Sequence, residues 1–524
     1  MMPRIIAVLA LNEVRLRLRR LGSLVVLLAL IAIFWSIVPD PNTGTLTLIS
    51  INHARVLYTS SALAMASAKL FAVLFGLLGF YLLRGRVGED LHSGVGSVIA
   101  STQAGNGLFL FSRWLGGVGY LGCLVAALLV NMLVFHSLRG DGPPQPLVYL
   151  QTYFIFLLPV IFFVASSAVL FDSLVPLMGK AGDAIYFLLW TLQFPLLDHF
   201  LQGSDGHFAP WMLGDVSAAG MSLVMLSLKL GLPVSAISKG VTSYTPHLQA
   251  VALPGVLWPA TMVLARCATA GLALLPLLPA IAWFHRFSPD RVKAGNARNW
   301  RSPLQLINRW LRPLARIMPP WPKLAAALPG IWGQAFADVA LALLSSPAMI
   351  AALMAALASS LIAHIDSLPA VLVAAVAAWG MLVSDISTRD FQADTEALTG
   401  AAPGGVVQRY LRQLLAAGML GLLFMGVIAL RWAFHDPLRA VALAAGVLSL
   451  SAVATLLGRC SRSPRCFLVL FLFWLYVANN VPVAPMIDVV GFNGVANAGS
   501  ILIQLCIGVA AILAGFVYNR RQSY

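Results

Sequence analysis

Residues 285–323, HRFSPDRVKAGNARNWRSPLQLINRWLRPLARIMPPWPK, divide this chain into two similar parts. The stretch carries nine Lys and Arg residues, and six strongly apolar runs lie on each side of it. Each set of six runs is preceded by a charged amphipathic segment. The sequence therefore predicts two pseudo-equivalent halves, residues 1–285 and 331–524, joined by a basic linker at 286–330.

The composition indicates a chain embedded in a membrane. Charged residues make up only 10% of the 524 residues and hydrophobic residues 60%, whereas a soluble domain carries about 25% charged residues. A helix needs about 20 apolar residues to cross a hydrocarbon core of about 30 Å. Twelve runs fit or approach this length: 21–38, 61–83, 114–136, 148–171, 184–201, 254–284, 347–364, 368–384, 414–430, 440–457, 467–479 and 500–518.

The fold class follows from the lack of strict alternation in these runs. Backbone groups in lipid must be paired within the protein, which leaves helices or a closed barrel, and a barrel strand alternates apolar and polar residues. We therefore expect an all-α polytopic membrane protein with about twelve transmembrane helices. They would form two six-helix halves, each opened by an amphipathic elbow helix.

The net charge of +15 is explained by topology rather than by a nucleic-acid partner. With the N-terminus in the cytoplasm, 26 of the 34 Lys and Arg residues fall in cytoplasmic segments and six fall outside. This bias is the positive-inside rule of helical membrane proteins. It predicts that both termini are cytoplasmic and that no nucleic acid is bound.

The elbow of the first half is expected at residues 1–20, as a helix lying in the membrane interface. Apolar residues cover part of its surface, and Arg15, Arg17, Arg19 and Arg20 are placed to reach lipid phosphates. Residues 303–338 have a similar pattern before the second half.

A further segment, residues 202–253, lies outside the membrane between the fifth and sixth runs. Its Gly, Pro and Ser residues surround an apolar stretch, 221–230, that is too short to cross. Irregular backbone at membrane depth is tolerated where it is buried in protein or lines a cavity. The segment is therefore predicted to be an outer gate or a structural plug.

Patterns of enzyme active sites are missing from the sequence. There is no G-x-x-x-x-G-K-[ST], H-E-x-x-H or G-x-S-x-G, and the five Cys have no His at metal-ligand spacing. The chain is therefore not expected to be an enzyme, to hydrolyse ATP, or to have catalytic residues or a metal site. Asp198 and His199, adjacent at the outer end of the fifth run, are candidates for a pathway or gate.

Two basic residues lie inside the apolar runs, Lys69 in the second and Arg266 in the sixth. A charge in hydrocarbon is expensive, so both are candidates for the transport pathway. The alternative is that each snorkels to an interface or pairs with backbone carbonyls. Buried acidic residues, which proton-coupled carriers need, are almost absent from the runs.

A similar cytoplasmic segment follows the second run of each half. Its members are Glu89, Asp90, Ile99 and Arg113 in the first half, and Asp394, Glu396, Leu398 and Arg412 in the second. A shift of 299 positions superposes Ile99 on Leu398 and Arg113 on Arg412. The shared order is an acidic residue, a short apolar helix, a small-residue turn, a basic residue and the next run. Repeats of this kind are typical of transport folds.

This order resembles the permease subunits of type-2 ATP-binding-cassette exporters. The residues that carry the resemblance are Glu89-Asp90, Val98-Ile99-Ala100-Ser101-Thr102 and Arg113 in the first half, and Glu396-Ala397-Leu398-Thr399-Gly400-Ala401-Ala402-Pro403 in the second. The resemblance covers nearly the whole chain, twice. Members of that family are usually six-span chains that dimerise, whereas this chain has two such units fused. Its second elbow, residues 332–346, is weakly charged.

The resemblance implies a permease component that exports a substrate across a bacterial inner membrane. Separate ATPase subunits would grip the segments at 86–102 and 387–403 and would bind ATP and Mg²⁺, so that the chain itself holds no cofactor. The other partners would be the lipid bilayer and a substrate that the sequence does not specify.

Two alternatives stay open at this point. One is a secondary carrier with two six-helix bundles, driven by an ion gradient, which buried acidic residues would favour. The other is a membrane enzyme, such as a lipid-modifying transferase, whose chemistry would involve the outer residues Asp198, His199, Asp205 and His207.

Overall fold

The structure is a computed structural model. It describes residues 2–19, 21–38, 46–178, 180–202, 210–233, 237–253, 258–284, 287, 320–345, 347–393, 395–401, 405–480 and 485–521. Contacts between Cα atoms divide the chain into two compact units, Met1–Arg301 and Ser302–Tyr524. The division falls within the expected basic linker, of which 286 and 288–319 lie outside the described residues.

The described helices of the first unit follow the apolar runs and the segments between them. They are α1 (Met2–Leu18), α2 (Leu21–Ile37), α3 (Ser60–Leu74), α4 (Phe80–Leu83), α5 (Arg86–His92), α6 (Val95–Ser101), α7 (Asn106–Arg139), α8 (Pro146–Ser173), α9 (Lys180–Gln202), α10 (Ala219–Leu230), α11 (Ala260–Leu272) and α12 (Leu277–Trp283). A π-helical turn, Phe75–Gly79, joins α3 to α4.

The described helices of the second unit also follow the apolar runs and the segments between them. They are α13 (Pro320–Ala327), α14 (Gly330–Leu344), α15 (Pro347–Ile362), α16 (Leu368–Ile386), α17 (Arg389–Gln392), α18 (Glu396–Gly400), α19 (Gly405–His435), α20 (Pro437–Ser461), α21 (Pro464–Asn480) and α22 (Ala498–Arg521). In each unit, the end where the elbow helix (α1 or α14) lies is called the elbow end, and the opposite end the far end.

The described part of the chain contains eight helices that are long and apolar enough to cross a membrane, or nine if α14 and α15 together form one span. The eight are Ser60–Leu91, Asn106–Arg139, Pro146–Ser173, Ala260–Trp283, Ile365–Ile386, Gly405–His435, Pro437–Ser461 and Ala498–Arg521. The fold is therefore that of a mainly helical, multi-pass membrane protein.

The other four predicted runs also lie on helices, but these are shorter or less apolar. Helices α2, α15 and α21 have 16 or 17 residues, about the lower limit for a span. Helix α9 has 23 residues but includes Lys180 and Asp183 in its first turn. Their assignment as spans depends on more than length and composition.

A small sheet lies at the far end of the first unit. Its strands are β1 (Leu46–Ile51), β2 (Ala54–Arg55) and β3 (Ile237–Ser243), in the antiparallel order β2-β1-β3. Positive φ angles at Asn52 and His53 close the β1–β2 hairpin. The all-α expectation describes the long helices but misses this sheet. The sheet ties the α2–α3 connection to residues 202–253, which are called the outer segment after their predicted position.

The first unit is packed around aromatic side chains of α4 and α9. The rings of Phe80 and Tyr186 stack with centroids 3.6 Å apart, and the Tyr186 hydroxyl donates a 2.6 Å hydrogen bond to the Gly76 carbonyl oxygen in the π-helical turn. A Cβ on Gly76 would lie 1.8 Å from the Trp190 ring. The absence of a side chain at Gly76 therefore allows α9 to approach this turn closely.

In the second unit, α16 contacts α21 through another glycine. A Cβ on Gly380 would lie 2.2 Å from the Phe471 ring. Trp379 beside it donates from Nε1 to the Ala417 carbonyl oxygen of α19 over 3.1 Å. Close approach at small residues is the usual way for helices to associate in lipid, where apolar burial adds no driving force.

Candidate functional site

The predicted segment of the first half, called segment A (residues 86–102), forms α5 and α6 at the elbow end. The chain enters it through Gly85, whose φ of +93° is a left-handed conformation that favours glycine. The Gly85 amide donates to both carboxylate oxygens of Asp172, at 3.1 and 2.9 Å. This turn separates the end of α4 from the start of α5.

Two of the predicted residues, Asp90 of segment A and Arg113 of α7, lie together. The carboxylate of Asp90 forms an ion pair with the guanidinium of Arg113 at the start of α7, and Asp90 is only 5% exposed. Glu89 differs: its side chain is 45% exposed and lies 2.7 Å from Arg86. Asp90 is therefore an internal contact of the unit, while Glu89 is accessible.

The apolar residues of segment A have two separate environments. Ile99 is half-buried and packs against a buried cluster formed by Val87, Leu110, Ala280, Phe284 and Phe287. Val98, next to it, is 64% exposed, and Val95 is exposed as well. The segment is thus anchored on one side and presents apolar side chains on the other.

The corresponding segment of the second half, segment B (residues 387–403), forms α17 and α18. Glu396 lies 3.3 Å from Arg409 of α19 and 2.9 Å from Arg459 of α20. Leu398 is 73% exposed. Asp394, also predicted for this site, lies outside the described residues.

Arg412 of α19 connects segment B to the elbow helix. Its guanidinium lies 2.8 Å from Asp338 in α14 and 3.5 Å from Asp390 in α17. Arg389 belongs to the same cluster. Burial holds the pKa of its guanidinium below its ordinary value, although the carboxylates of Asp338 and Asp390 act in the opposite direction. The sequence pattern gave no sign of a role for Asp338.

The first elbow helix makes a comparable connection. Glu13 lies 2.7 Å from Arg17 and 3.6 Å from Arg86. Arg17 also donates to the carbonyl oxygens of Leu82 and Leu83 at the end of α4, over 2.8 and 3.0 Å. The expectation that Arg17 reaches lipid phosphates is therefore wrong, because it is buried and satisfies the carbonyl groups at a helix end. Arg15 and Arg19 are exposed, and Arg20 lies outside the described residues.

A buried charge cluster that sequence analysis missed lies beside segment A. The guanidinium of Arg84 is 2.9 Å from Asp183 and 3.9 Å from Asp172, and all three side chains are nearly inaccessible. Tyr81 donates to the Asp183 carbonyl oxygen over 2.9 Å. The cluster fastens the elbow ends of α4, α8 and α9. Its signal in the sequence is that each residue stands at the end of an apolar run.

At the far end of the first unit, Arg266 holds the outer segment. It is 1% exposed and donates to the carbonyl oxygens of Ile155 at 2.9 Å, Asp215 at 2.5 Å and Val216 at 2.6 Å. The Asp215 side chain accepts from the Gly220 amide at the start of α10 over 2.7 Å. Arg266 was predicted either to line the transport pathway or to snorkel to an interface or pair with backbone carbonyls. Its contacts match pairing with carbonyls.

The second unit has a similar arrangement at its far end. Arg439 of α20 donates to the carbonyl oxygens of Gly491 and Phe492, each over 2.6 Å. The Asp488 carboxylate accepts from the amides of Asn493 and Val495, at 3.2 and 3.3 Å. An arginine thus holds the loop before the last helix through its backbone, as Arg266 does in the first unit.

The remaining candidates are placed as follows. Lys69 lies on α3 and its side chain is half-buried. Asp198 and His199 lie on α9, but their side chains are outside the part of the structure that is described. Comparison of the chain with protein-family models, with curated proteins and with solved structures finds no match.

Proposed function

We propose that the chain is the membrane-spanning permease component of an ATP-binding-cassette transporter, and that it exports a substrate using ATP hydrolysed by separate ATPase subunits. One observation carries the proposal. After the second apolar run of each unit, a short helical segment holds an acid that pairs with an arginine at the start of the third run. The pairs are Asp90 with Arg113 and Asp390 with Arg412.

The packing inside each unit supports a duplicated six-span plan. In both units the elbow helix and the helix of the first run pack against the helix of the third run. The helix of the second run packs against those of the fourth and fifth runs. The helix of the fourth run also packs against those of the third and sixth runs. Twelve spans in two equivalent halves are the simplest account of this shared order. The short helices α2, α15 and α21 would then cross the membrane at about the minimum length.

The contact between the second and fifth runs adds a detailed correspondence. In the first unit it is Gly76 against Trp190, and in the second Gly380 against Phe471. In each pair a glycine on the second run faces an aromatic ring on the fifth. The resemblance to exporter permeases implies that substrate moves between the second and fifth helices of each half. We therefore propose that the substrate path opens along this contact in both units.

The surface that segments A and B offer to a partner is mainly apolar. Val95 and Val98 are exposed on α6 and Leu398 on α18, whereas Asp90 and Glu396 are paired within the chain. Short helices with exposed apolar residues suit a groove on another protein. We therefore propose that the apolar residues contact the ATPase and that the paired acids hold the helices in position.

The proposed orientation puts the elbow end in the cytoplasm of a bacterial cell, with both termini on that side of the inner membrane. Closure of the ATPase subunits around ATP would pull segments A and B. Because Asp90 and Asp390 pair with arginines of the third helices, the pull would reach α7 and α19 directly. The substrate would then move outward between the second and fifth helices of each unit.

The test is purification of the tagged chain from its native membrane. The proposal predicts that a P-loop ATPase is recovered with it and that the ATPase rate depends on the chain. The matched variant carries Val98→Asp and Leu398→Asp, which should release the ATPase without unfolding the chain. Recovery of the folded chain with no nucleotide-hydrolysing partner would contradict the proposal.

The buried carboxylates of the first unit favour a second candidate, an ion-gradient-driven carrier. Asp172 and Asp183 are both nearly inaccessible beside Arg84, and buried ionisable residues in a membrane protein often mark an ion pathway. This candidate predicts cargo uptake into vesicles under a proton or sodium gradient without ATP. It also predicts that Asp183→Asn abolishes that uptake.

A further inference from the structure

We infer that one acidic residue on each elbow helix, Glu13 in α1 and Asp338 in α14, positions the segment that contacts the ATPase. This inference rests on the proposed function. Neither acid belongs to the surface offered to a partner. Each would act through arginines, by fixing segments A and B to the rest of their unit.

In the first unit the connection runs from elbow to segment through two ion pairs. Glu13 lies 3.6 Å from Arg86, the first residue of α5, and Arg86 lies 2.7 Å from Glu89 in the same helix. Glu13 also lies 2.7 Å from Arg17, which donates to the Leu82 carbonyl oxygen at the end of α4. One carboxylate thus holds both ends of the turn that leads into segment A.

In the second unit the same connection runs through Arg412. Its guanidinium lies between Asp338 of the elbow at 2.8 Å and Asp390 of segment B at 3.5 Å. Arg389, which opens α17, interacts electrostatically with both acids. The two units therefore share an elbow carboxylate, a guanidinium and a segment carboxylate, in that order, although the bridging arginine comes from different helices.

The packing of the elbow explains why its acid can act as a fixed point. A Cβ on Gly116 of α7 would lie 2.7 Å from the Glu13 side chain and 3.1 Å from the Ala10 carbonyl oxygen, so α1 lies directly against α7. The side chains of Asp338 and Arg412 are 14% and 19% exposed. Charges buried to this extent require their partners, which restricts the arrangements open to the segment.

The consequence for transport is that elbow, segment and third helix would move together. With the acid present, displacement of segment A or B by the ATPase is transmitted to α7 or α19. Without it, the segment can bend at its own turns and part of the displacement is lost. The ATPase would still bind, because the exposed residues Val98 and Leu398 are unchanged.

The experiment compares Glu13→Gln with Asp338→Asn, singly and together, in the full chain purified and reconstituted with its ATPase. Amounts of bound ATPase, hydrolysis rate and cargo moved per ATP are measured separately. The inference predicts bound ATPase at the wild-type level and a fall of about fivefold or more in cargo per ATP, in the range of ordinary coupling between sites. Glu13→Asp and Asp338→Glu, which keep the charge, should recover most of it.

A matched control and a second readout separate this role from general stability. Asp366→Asn removes a strongly exposed acid at the far end of the second unit and should leave cargo per ATP unchanged. Hydrogen exchange of the chain alone should accelerate at 86–101 in Glu13→Gln and at 389–400 in Asp338→Asn, and not elsewhere. The exchange measurement needs no ATPase, so it tests the contact even where coupling is lost for other reasons.

The inference is overturned if both neutral variants move wild-type amounts of cargo per ATP, or if exchange in the segments is unchanged. Failure of the proposed function gives another result, since the wild-type chain would then bind no ATPase at all. Single variants are measured beside the double variant, so that unfolding of the double variant still leaves a comparison.

Discussion

The Glu396 carboxylate lies 2.9 Å from the Arg459 guanidinium, which fixes α18 against α20 of the same unit. Arg409 approaches the same carboxylate to 3.3 Å. Two residues further along, Leu398 is exposed. Glu396 of segment B thus contacts its own unit, whereas Leu398 is accessible to a partner.

The first prediction concerns the exposed residues Val98 and Leu398. Substituting both by Asp should weaken binding of the ATPase about tenfold or more. Placing a charge in the apolar centre of an interface lowers the binding free energy by more than about 1 kcal/mol. The measurement is the amount of ATPase recovered with the purified chain. Leu147→Asp is the control: Leu147 is exposed in the first turn of α8 at the far end, where an acid is tolerated. Equal recovery of ATPase with the wild-type chain, the Val98→Asp and Leu398→Asp double variant and the control would contradict the prediction.

The second prediction concerns the buried pair of Asp90 and Arg113. Asp90→Ala should lower the free energy of unfolding by about 3–5 kcal/mol, since it leaves a mostly buried guanidinium without its carboxylate partner. Glu89→Ala, at an exposed neighbour in the same helix, should change it by at most about 1 kcal/mol. Thermal unfolding in detergent measures both.

A double variant tests the cause of this loss. Arg113→Ala added to Asp90→Ala removes the unpaired charge and should restore part of the stability, with an interaction energy of about 0.5–3 kcal/mol. If the two single losses simply add, the residues do not act as a pair.

The third prediction concerns the arginines at the far ends. Arg266→Lys should speed hydrogen exchange in Ala219–Leu230 about tenfold, because an ammonium cannot reproduce a planar fork to three carbonyl groups. Each hydrogen bond from a charged donor contributes about 1.5–3 kcal/mol to stability. Arg439→Lys is the matched variant, and its effect should be confined to residues 485–497. Exchange that accelerates equally in both regions for either variant would refute separate local roles.

The fourth prediction concerns the glycine in the π-helical turn. Gly76→Ala should destabilise the chain by about 1–3 kcal/mol, because its Cβ would overlap the Trp190 ring and force it to move. Gly122→Ala on α7, where a Cβ meets no atom within 4 Å, should be neutral or stabilising by up to about 1 kcal/mol. Adding Trp190→Leu to Gly76→Ala should relieve the overlap. Thermal unfolding of the four proteins decides this.

The long helices could be predicted from the sequence because lipid requires continuous apolar runs of about 20 residues. Each of the twelve predicted runs overlaps a described helix, although residues 254–257 of the sixth run lie outside the described residues. Their ends were harder to place: the run predicted at 61–83 belongs to a longer helical stretch with a π-helical turn at Phe75–Gly79. Such a turn depends on contacts with another helix, here through Tyr186.

The sheet could not be predicted by the same means. Residues Leu46–Ile51 alternate in part, but their partner β3 follows nearly 190 positions later in the outer segment. Strand pairing at that distance is a tertiary contact, and neither strand is long enough to be clear on its own. The outer segment could be recognised as irregular, but not as part of a sheet.

The sequence pattern singled out residues of segments A and B, but it did not predict which way their side chains point. The order of acid, apolar helix and arginine identified Asp90, Arg113, Glu396 and Arg412. It did not reveal that Asp90 and Glu396 face arginines of their own unit, since an acid near a membrane surface could equally face a partner. Asp338 was missed because a single acid in an apolar helix has no local signature.

The most direct test of the account is cargo export by the chain in liposomes, with and without its purified ATPase. We predict export only when the ATPase and ATP are both present, and loss of export with Val98→Asp and Leu398→Asp in the chain. Export at the full rate in liposomes free of any ATPase, driven by an ion gradient alone, would contradict the account.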